Sequence, residues 1–401
     1  GPVAILLGVV HFGLVLLVYR IVPDAYMDEI FHIGQTRRYC QGNYTWDPMI
    51  TTPPGLYILA LPVFCGRERY LNSLLFPILF LSFCRFRSLH CKDSIGMTSL
   101  ITLFLPVLLH SSLLFYTDQL SLLLTVISFT LSPFPSSIIF LLSLFVRQTN
   151  IAWAFLYAGV HFFSSLSPSS PISSSISSIR YLIPFIFLAL SFVYYIHWND
   201  NKIVLGDASA HVPQLHLSQL LYLSLFSVLH SWPLYISILP SIVHYSFRFV
   251  SLLLIPIIAI SLYSYTFVHP YLLADNRHIP FYFHRRLLYS PTIRICLSPI
   301  IFICISCISL LSSSLSRSTR LLFILSISIT IIPAHLIEFR YFITPYVLWR
   351  LSVPIPKSSF TLTLLLELLS NIMVFSFVFL LFLYKPFEWS NEPGVLQRFM
   401  W

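Results

Sequence analysis

The chain is built around apolar runs close to the length that crosses a bilayer. Val3–Val22 and Phe360–Tyr384 are apolar on nearly every side of a helix, and a hydrocarbon core of about 30 Å takes roughly 20 such residues. Barrel strands would instead alternate apolar and polar side chains over segments of about 10 residues, an alternation that Phe134–Val146 also lacks. With 9% of its 401 residues charged and 57% hydrophobic, the chain has too little polar surface to cover a soluble domain, for which about 25% charged residues is usual. It carries too much bulky apolar content for disorder. The net charge of +9 has no clustered basic face to bind nucleic acid and reads as the loop bias that orients membrane helices. The expectation is an all-α polytopic membrane protein, residues 1–401 forming one transmembrane domain of roughly 12–13 helices.

The expected helices are Val3–Val22, Leu71–Cys84, Met97–Leu114, Gln119–Leu131, Phe134–Val146, Ile151–Phe163, Tyr181–Trp198, Gln214–His230, Val250–Val268, Thr292–Leu311, Leu321–Ile337, Phe342–Leu351 and Phe360–Tyr384. Between the first two, residues 23–70 hold Asp24, Asp28, Glu29, Asp47 and Glu68. Within this loop Pro53–Pro62 reads as a short helix started by proline and lying in the interface. If it crossed, the basic stretch Arg85–Lys92 would fall on the acidic loop's side, against the positive-inside bias. The acidic loop is therefore expected in the lumen, together with Tyr116–Gln119, Arg147–Asn150, Asn199–Pro213, His269–Arg286 and Glu338–Tyr346. The Ser- and Pro-rich residues 164–179 are expected as a flexible cytoplasmic loop. Cys40 and Cys65 share the acidic loop and could pair in an oxidising lumen, whereas Cys304 and Cys307 lie in an apolar run, where a thiol is a small hydrophobe.

Chemistry concentrates at the ends of the runs. Asp28 and Glu29 are adjacent carboxylates at a membrane face, an arrangement that can raise one proton affinity and poise a general base, although a solvated loop pair looks the same in sequence. His32 is one helical turn beyond them. Asp118 lies between two apolar runs, as a functional carboxylate or a helix cap. Arg147, followed by Gln148, either snorkels or grips a phosphate at the membrane surface. Asp275, Asn276, Arg277 and His278 are consecutive polar groups, and Glu338, Arg340 and Tyr341 repeat the theme. No phosphate-binding glycine loop, zinc-ligand spacing or H-E-x-x-H is present. Asn43-Tyr44-Thr45 is a formal glycosylation acceptor.

Several of these stretches together resemble a known family. They are Tyr26-Met27-Asp28-Glu29-Ile30-Phe31-His32, the run Trp46 to Tyr57 with Pro53-Pro54-Gly55 inside it, Arg147-Gln148-Thr149-Asn150, Leu272 to His278, Glu338-Phe339-Arg340-Tyr341-Phe342, and Gln397-Arg398-Phe399-Met400-Trp401. The set resembles the dolichyl-phosphate-glucose-dependent α-1,2-glucosyltransferases of the endoplasmic reticulum, which add the third and last glucose to the dolichol-linked oligosaccharide used in N-glycosylation. The resemblance implies a GT-C bundle with juxtamembrane helices in the first luminal loop, an acidic catalytic residue at Asp28 with Glu29 beside it, and the lumen as the reaction side. Less directly, it implies substrate contacts at Asp118, Arg147, Gln148, Asp275, Asn276, Arg277, His278, Arg340 and Tyr341. The implied partners are dolichyl-phosphate-glucose, the dolichol-linked oligosaccharide and the bilayer, with no nucleic acid. No cofactor is required by this chemistry, and a divalent metal stays open. The alternatives are a GT-C transferase for another polyprenyl-phosphate sugar, or a transporter, which would be expected to show two repeated halves.

Overall fold

The structure, a computed structural model, describes residues 1–401 apart from 62, 168, 170, 208, 210, 211, 247–251 and 357–359. The expected end of the loop helix at Pro62, the start of the run at Val250, and parts of the 164–179 and 199–213 stretches lie outside the described residues. The fold is overwhelmingly helical. Pro2–Ile21, Ser173–Trp198, Pro291–Ser314 and Thr361–Tyr384 are each long and apolar enough to cross a membrane, and Ile95–Leu103 with Pro106–Ser112 would make a fifth crossing.

Most of the expected runs are helices, and among the described residues the four named above, or five with the bent pair, are long and apolar enough to cross on their own. Met97–Leu114 is not one helix: it breaks into Ile95–Leu103 and Pro106–Ser112, bent by 66°. Pro106 has no N–H to continue the ladder and disfavours helical geometry at Leu105. Pro133–Leu144 and Leu254–Ser264 stop at 12 and 11 residues, about 17 Å at 1.5 Å per residue, short of the core thickness. The 164–179 loop is also shorter than expected. A helix begins at Pro171 and runs to Trp198, with proline in the first turn, where its missing N–H costs nothing. The loop helix is Gly55–Ala60, started after Pro54. Among the described residues, an antiparallel hairpin of Phe387–Trp389 and Glu392–Gln397 departs from the otherwise all-α expectation.

The chain forms two compact units. The first comprises Gly1–Leu89, Ser111–Val212 and Ser316–Thr330, and the second His90–His110, Pro213–Leu315 and Ile331–Trp401.

In the first unit, polar side chains join helices where the surroundings are otherwise apolar. His11, in helix Pro2–Ile21, hydrogen-bonds Ser73 at 3.0 Å and Ser112 at 2.9 Å, the kind of interhelical contact that works where water does not compete. The strongest tie is the fully buried pair of Glu29 and Arg69. Arg69 Nε and Nη2 meet the two Glu29 oxygens at 2.8 and 2.7 Å, while the backbone N–H groups of Tyr26 and Phe115 donate to the same carboxylate. The remaining guanidinium donors reach the carbonyls of Val22 and Asp24, and its face lies 4.8 Å from the Tyr19 ring. A desolvated ion pair is tolerable when hydrogen bonds saturate both partners, and here they do. The pair draws together the exit of the first helix, the start of the next, and residue 115. Cys40 and Cys65 form a disulfide, with Cα atoms 6.1 Å apart, closing the loop between them.

The second unit has its own buried pair, Arg350 with Glu367, joining helix Ile343–Ser352 to helix Phe360–Tyr384 through two bonds of 2.7 Å. Trp349 Nε1 donates to Ser312, and Gln219 donates to the carbonyls of Ala334 and Leu336. Arg398 donates to the carbonyls of Phe382 and Leu383 at 2.8 Å each. A cation there satisfies carbonyls left open by the end of helix Phe360–Tyr384 and complements its dipole. Cys304 and Cys307 are buried thiols.

Candidate active site

In the first unit the candidate carboxylates start a helix. Asp28 is the residue before helix Glu29–Cys40, and its carbonyl accepts from Phe31 and His32. Met27, just before it, has φ +55°, a left-handed conformation that is uncommon outside glycine and often sits beside functional groups. Asp28 and Glu29, adjacent in sequence, part in space. Glu29 is fully buried against Arg69, whereas Asp28 remains half-buried. One turn on, His32 Nδ1 lies 2.7 Å from the Tyr57 hydroxyl. Burial, with smaller contributions from Asp28 and Asp47, pushes the Tyr57 phenol above its ordinary value, so the group stays a hydroxyl. Gln35 of the same helix holds the Trp46-Asp47 stretch, donating to Thr45 and accepting from the Asp47 N–H.

Asp118 and Arg147 meet in this unit. Arg147 Nη2 is 3.0 Å from Asp118 Oδ1, and Nε donates to Thr117. Asp118 is almost wholly buried, while the Arg147 side chain is 23% accessible. Gln148 donates to the Thr51 carbonyl at 2.9 Å, so its amide ties the first loop to the segment that carries Arg147. Gly55 permits that approach. Its N–H donates to the Phe145 carbonyl at 2.7 Å, and a Cβ there would come 2.5 Å from the same oxygen.

In the second unit, Asp275, Asn276, Arg277 and His278 form a turn between helices Pro270–Ala274 and Ile279–Phe283. Asp275 takes Arg277 Nε and Nη2 in a two-pronged pair at 2.8 and 2.7 Å. Burial pushes the Asp275 carboxyl up, but hydrogen bonds from Arg277 and the charge of His278 outweigh it and hold the carboxyl below its ordinary value. His278 Nε2 lies 3.7 Å from Asp275, and Asn276 accepts from Trp389 Nε1. Arg340 pairs with Glu338, and Tyr341 is half-buried beside it. The Phe339 ring lies 6.5 Å from that of Trp401, whose carbonyl meets His278 Nδ1 at 2.7 Å. Trp401 thus links the 275–278 and 338–341 turns. The three candidate arginines have in common that each sits against a carboxylate of its own unit.

Residues 22–178 and 161–351 match the DIE2/ALG10 family. The chain belongs to the DIE2/ALG10 family. It is 31% identical to a human protein over 95% of this chain and 94% of the relative, 31% identical to one from Arabidopsis thaliana over 96% of each, and 32% identical to one from Debaryomyces hansenii over 98% of this chain and 97% of the relative. All three relatives are named Dol-P-Glc:Glc(2)Man(9)GlcNAc(2)-PP-Dol alpha-1,2-glucosyltransferase. No solved structure matches the chain. The structure pairs residues that the sequence pattern did not single out. Arg69 stood in sequence as one charge of Arg67-Glu68-Arg69, and Arg350 and Glu367 stood as charges inside apolar runs, which was a usable signal.

Proposed function

We propose that this chain is the α-1,2-glucosyltransferase that moves glucose from dolichyl-phosphate-glucose to the diglucosylated dolichol-linked oligosaccharide in the endoplasmic reticulum membrane. The observation that carries the reading is near-complete, two-sided coverage by relatives bearing that one name in animals, plants and fungi. The finer architecture belongs to the same reading: a GT-C bundle of roughly 12–13 passes, with shorter helices completing crossings, and a first loop with its juxtamembrane helices in the lumen. The Cys40–Cys65 disulfide supports that side, because such bonds persist in oxidising compartments.

Transfer with inversion turns a β-linked glucosyl phosphate into an α-linked product. The acceptor's 2-hydroxyl attacks C1 on the face opposite the phosphate, its proton passes to Asp28, and the C1–O bond breaks with its electron pair leaving on dolichyl phosphate. Asp28 is assigned as the base because it starts its helix half-buried, while Glu29 is held by Arg69 and two backbone N–H groups and serves to fix Asp28 in place. Arg147, Arg277, His278 and Arg340 are the candidates to stabilise charge on the departing phosphate. Asp118, Gln148, Asp275, Asn276 and Tyr341 order these groups or contact the sugars. No step in this reading calls for a metal.

Removing one well-placed donor should cost about 3 kcal/mol, roughly a hundredfold in rate. The test is complementation of cells lacking the enzyme. Wild-type protein should clear accumulated diglucosylated lipid-linked oligosaccharide, and Asp28→Asn, expressed at the same level, should not. Clearance by Asp28→Asn would remove Asp28 from the base role, and failure of wild type to clear would overturn the activity itself.

A further inference from the structure

The segment after helix Phe360–Tyr384 closes on the 275–278 turn through independent contacts. Backbone pairing comes first. Met400 N–H donates to the Arg277 carbonyl at 2.8 Å, and Ile279 N–H donates to the Met400 carbonyl at 3.0 Å, a parallel bridge between His278 and Met400. Side chains add to it. Arg277 Nη1 donates to Gln397 Oε1 at 2.8 Å, the Arg277 guanidinium stacks 4.5 Å over the Trp389 ring, and Trp389 Nε1 donates to Asn276 at 2.7 Å. Gln397, Arg398, Met400 and Trp401 are all buried, and Arg398 fastens the segment to the helix end.

One contact has a chemical consequence. A carbonyl oxygen only accepts, so the bond between His278 Nδ1 and the Trp401 carbonyl places a proton on Nδ1. That leaves Nε2, 3.7 Å from Asp275, as the ring nitrogen not held by Trp401, on a ring whose direction is set by residue 401. Arg277, by contrast, is the point where turn, hairpin and tail meet. We propose that residues 387–401 are a positioning clasp for the 275–278 turn, presenting His278 Nε2 to a phosphate oxygen of a polyprenyl-linked substrate. The inference rests on the function proposed above, in which two lipids carry such oxygens, the donor's phosphate and the acceptor's pyrophosphate.

The test measures binding, so that it stands apart from glucose transfer. Full-length protein in lipid nanodiscs is titrated with dolichyl phosphate and, separately, dolichyl pyrophosphate, per folded protein as judged by thermal unfolding. Met400→Pro deletes the bridging N–H, whereas Met400→Leu keeps it. Trp389→Ala removes the stacked ring, whereas Trp389→Phe keeps an aromatic face. The Pro and Ala variants should bind one of the two lipids about tenfold more weakly, the size expected for loosening hydrogen bonds to a charged group, with the Leu and Phe variants close to wild type. The lipid affected identifies the source of the phosphate. Unchanged affinity for both lipids in Met400→Pro and Trp389→Ala, or no binding of either lipid by wild type, overturns the clasp. Wild type that binds the lipids yet transfers no glucose overturns the activity and leaves the clasp standing.

Discussion

Both oxygens of the Glu29 carboxylate are taken up by Arg69 and by the N–H groups of Tyr26 and Phe115, and this separates two neighbours that sequence presents as equals. Glu29→Ala leaves the Arg69 guanidinium buried without its counter-charge, which should cost about 3–5 kcal/mol. Replacing both residues by methionine should recover much of that loss, because no lone charge then remains in the interior. Thermal unfolding in detergent checks the order: single variant lowest, double variant between it and wild type. Asp28→Asn, by contrast, should abolish transfer while leaving the buried Glu29–Arg69 pair in place. The composition of Asp28-Glu29 was legible in sequence, but the division of labour was not, since it depends on a partner 40 residues away and a backbone N–H 86 residues away. Asp275 gives a second prediction at this scale. Its carboxyl is held below the ordinary value, so its contribution is present above the unfolded pKa of about 3.9 and lost as pH falls through the lower folded value. The Asp275–Arg277 contact should therefore hold through mildly acidic conditions and open only below about pH 4. Amide hydrogen exchange of residues 275–279 against pH reads this directly, and opening between pH 5 and 7 would contradict it.

At the scale of elements, the first loop is held by close backbone approaches that need glycine. Gly206 has φ +58°, and a Cβ there would lie 2.3 Å from the Pro48 carbonyl oxygen and 2.6 Å from that of Ile50. Beside it, Leu205 N–H donates to Thr51 and Asp207 N–H donates to Pro48. Thr51 also accepts from Gln148, so the 204–207 strap and the Arg147 segment grip the same stretch of loop. Gly206→Ala adds a left-handed penalty of roughly 1–2 kcal/mol to a contact with backbone that has little room to yield. It should lower thermal stability by about that much or more and reduce transfer further than stability alone explains. Gly34→Ala provides the control, since nothing lies within 4 Å of a Cβ there; equal effects at the two positions would reject the strap. The helices were legible because their apolar length is a local property. The break before Pro106 was overlooked although proline marked it, and the 387–397 hairpin had no signal of its own, being fastened through Arg277 and Asn276, more than a hundred residues away.

For the molecule as a whole, the first unit carries its own markers of sidedness. Helix Tyr70–His90 has 21 residues, about 31 Å at 1.5 Å each, the thickness of a hydrocarbon core. Cys65, in its disulfide with Cys40, lies just before one end, and Arg85 and Arg87 lie toward the other. A disulfide belongs in an oxidising compartment and basic residues belong on the cytosolic side, so two unrelated rules assign the helix the same direction. The sequence motif at Asn43 agrees, since its residues are exposed and the Thr45 hydroxyl donates to Asn43 Oδ1 at 2.8 Å. In sealed microsomes, a membrane-impermeant maleimide should label Leu89→Cys, whose native side chain is exposed, without permeabilisation. Cys40 and Cys65 should label only after both reduction and permeabilisation. Separately, Cys40→Ser with Cys65→Ser should lower stability by about 3 kcal/mol, as expected for opening a loop of this length. Labelling of Cys40 or Cys65 from the cytosolic side of sealed vesicles would turn the helix over and, with it, put Asp28 on the wrong face of the membrane for the proposed reaction.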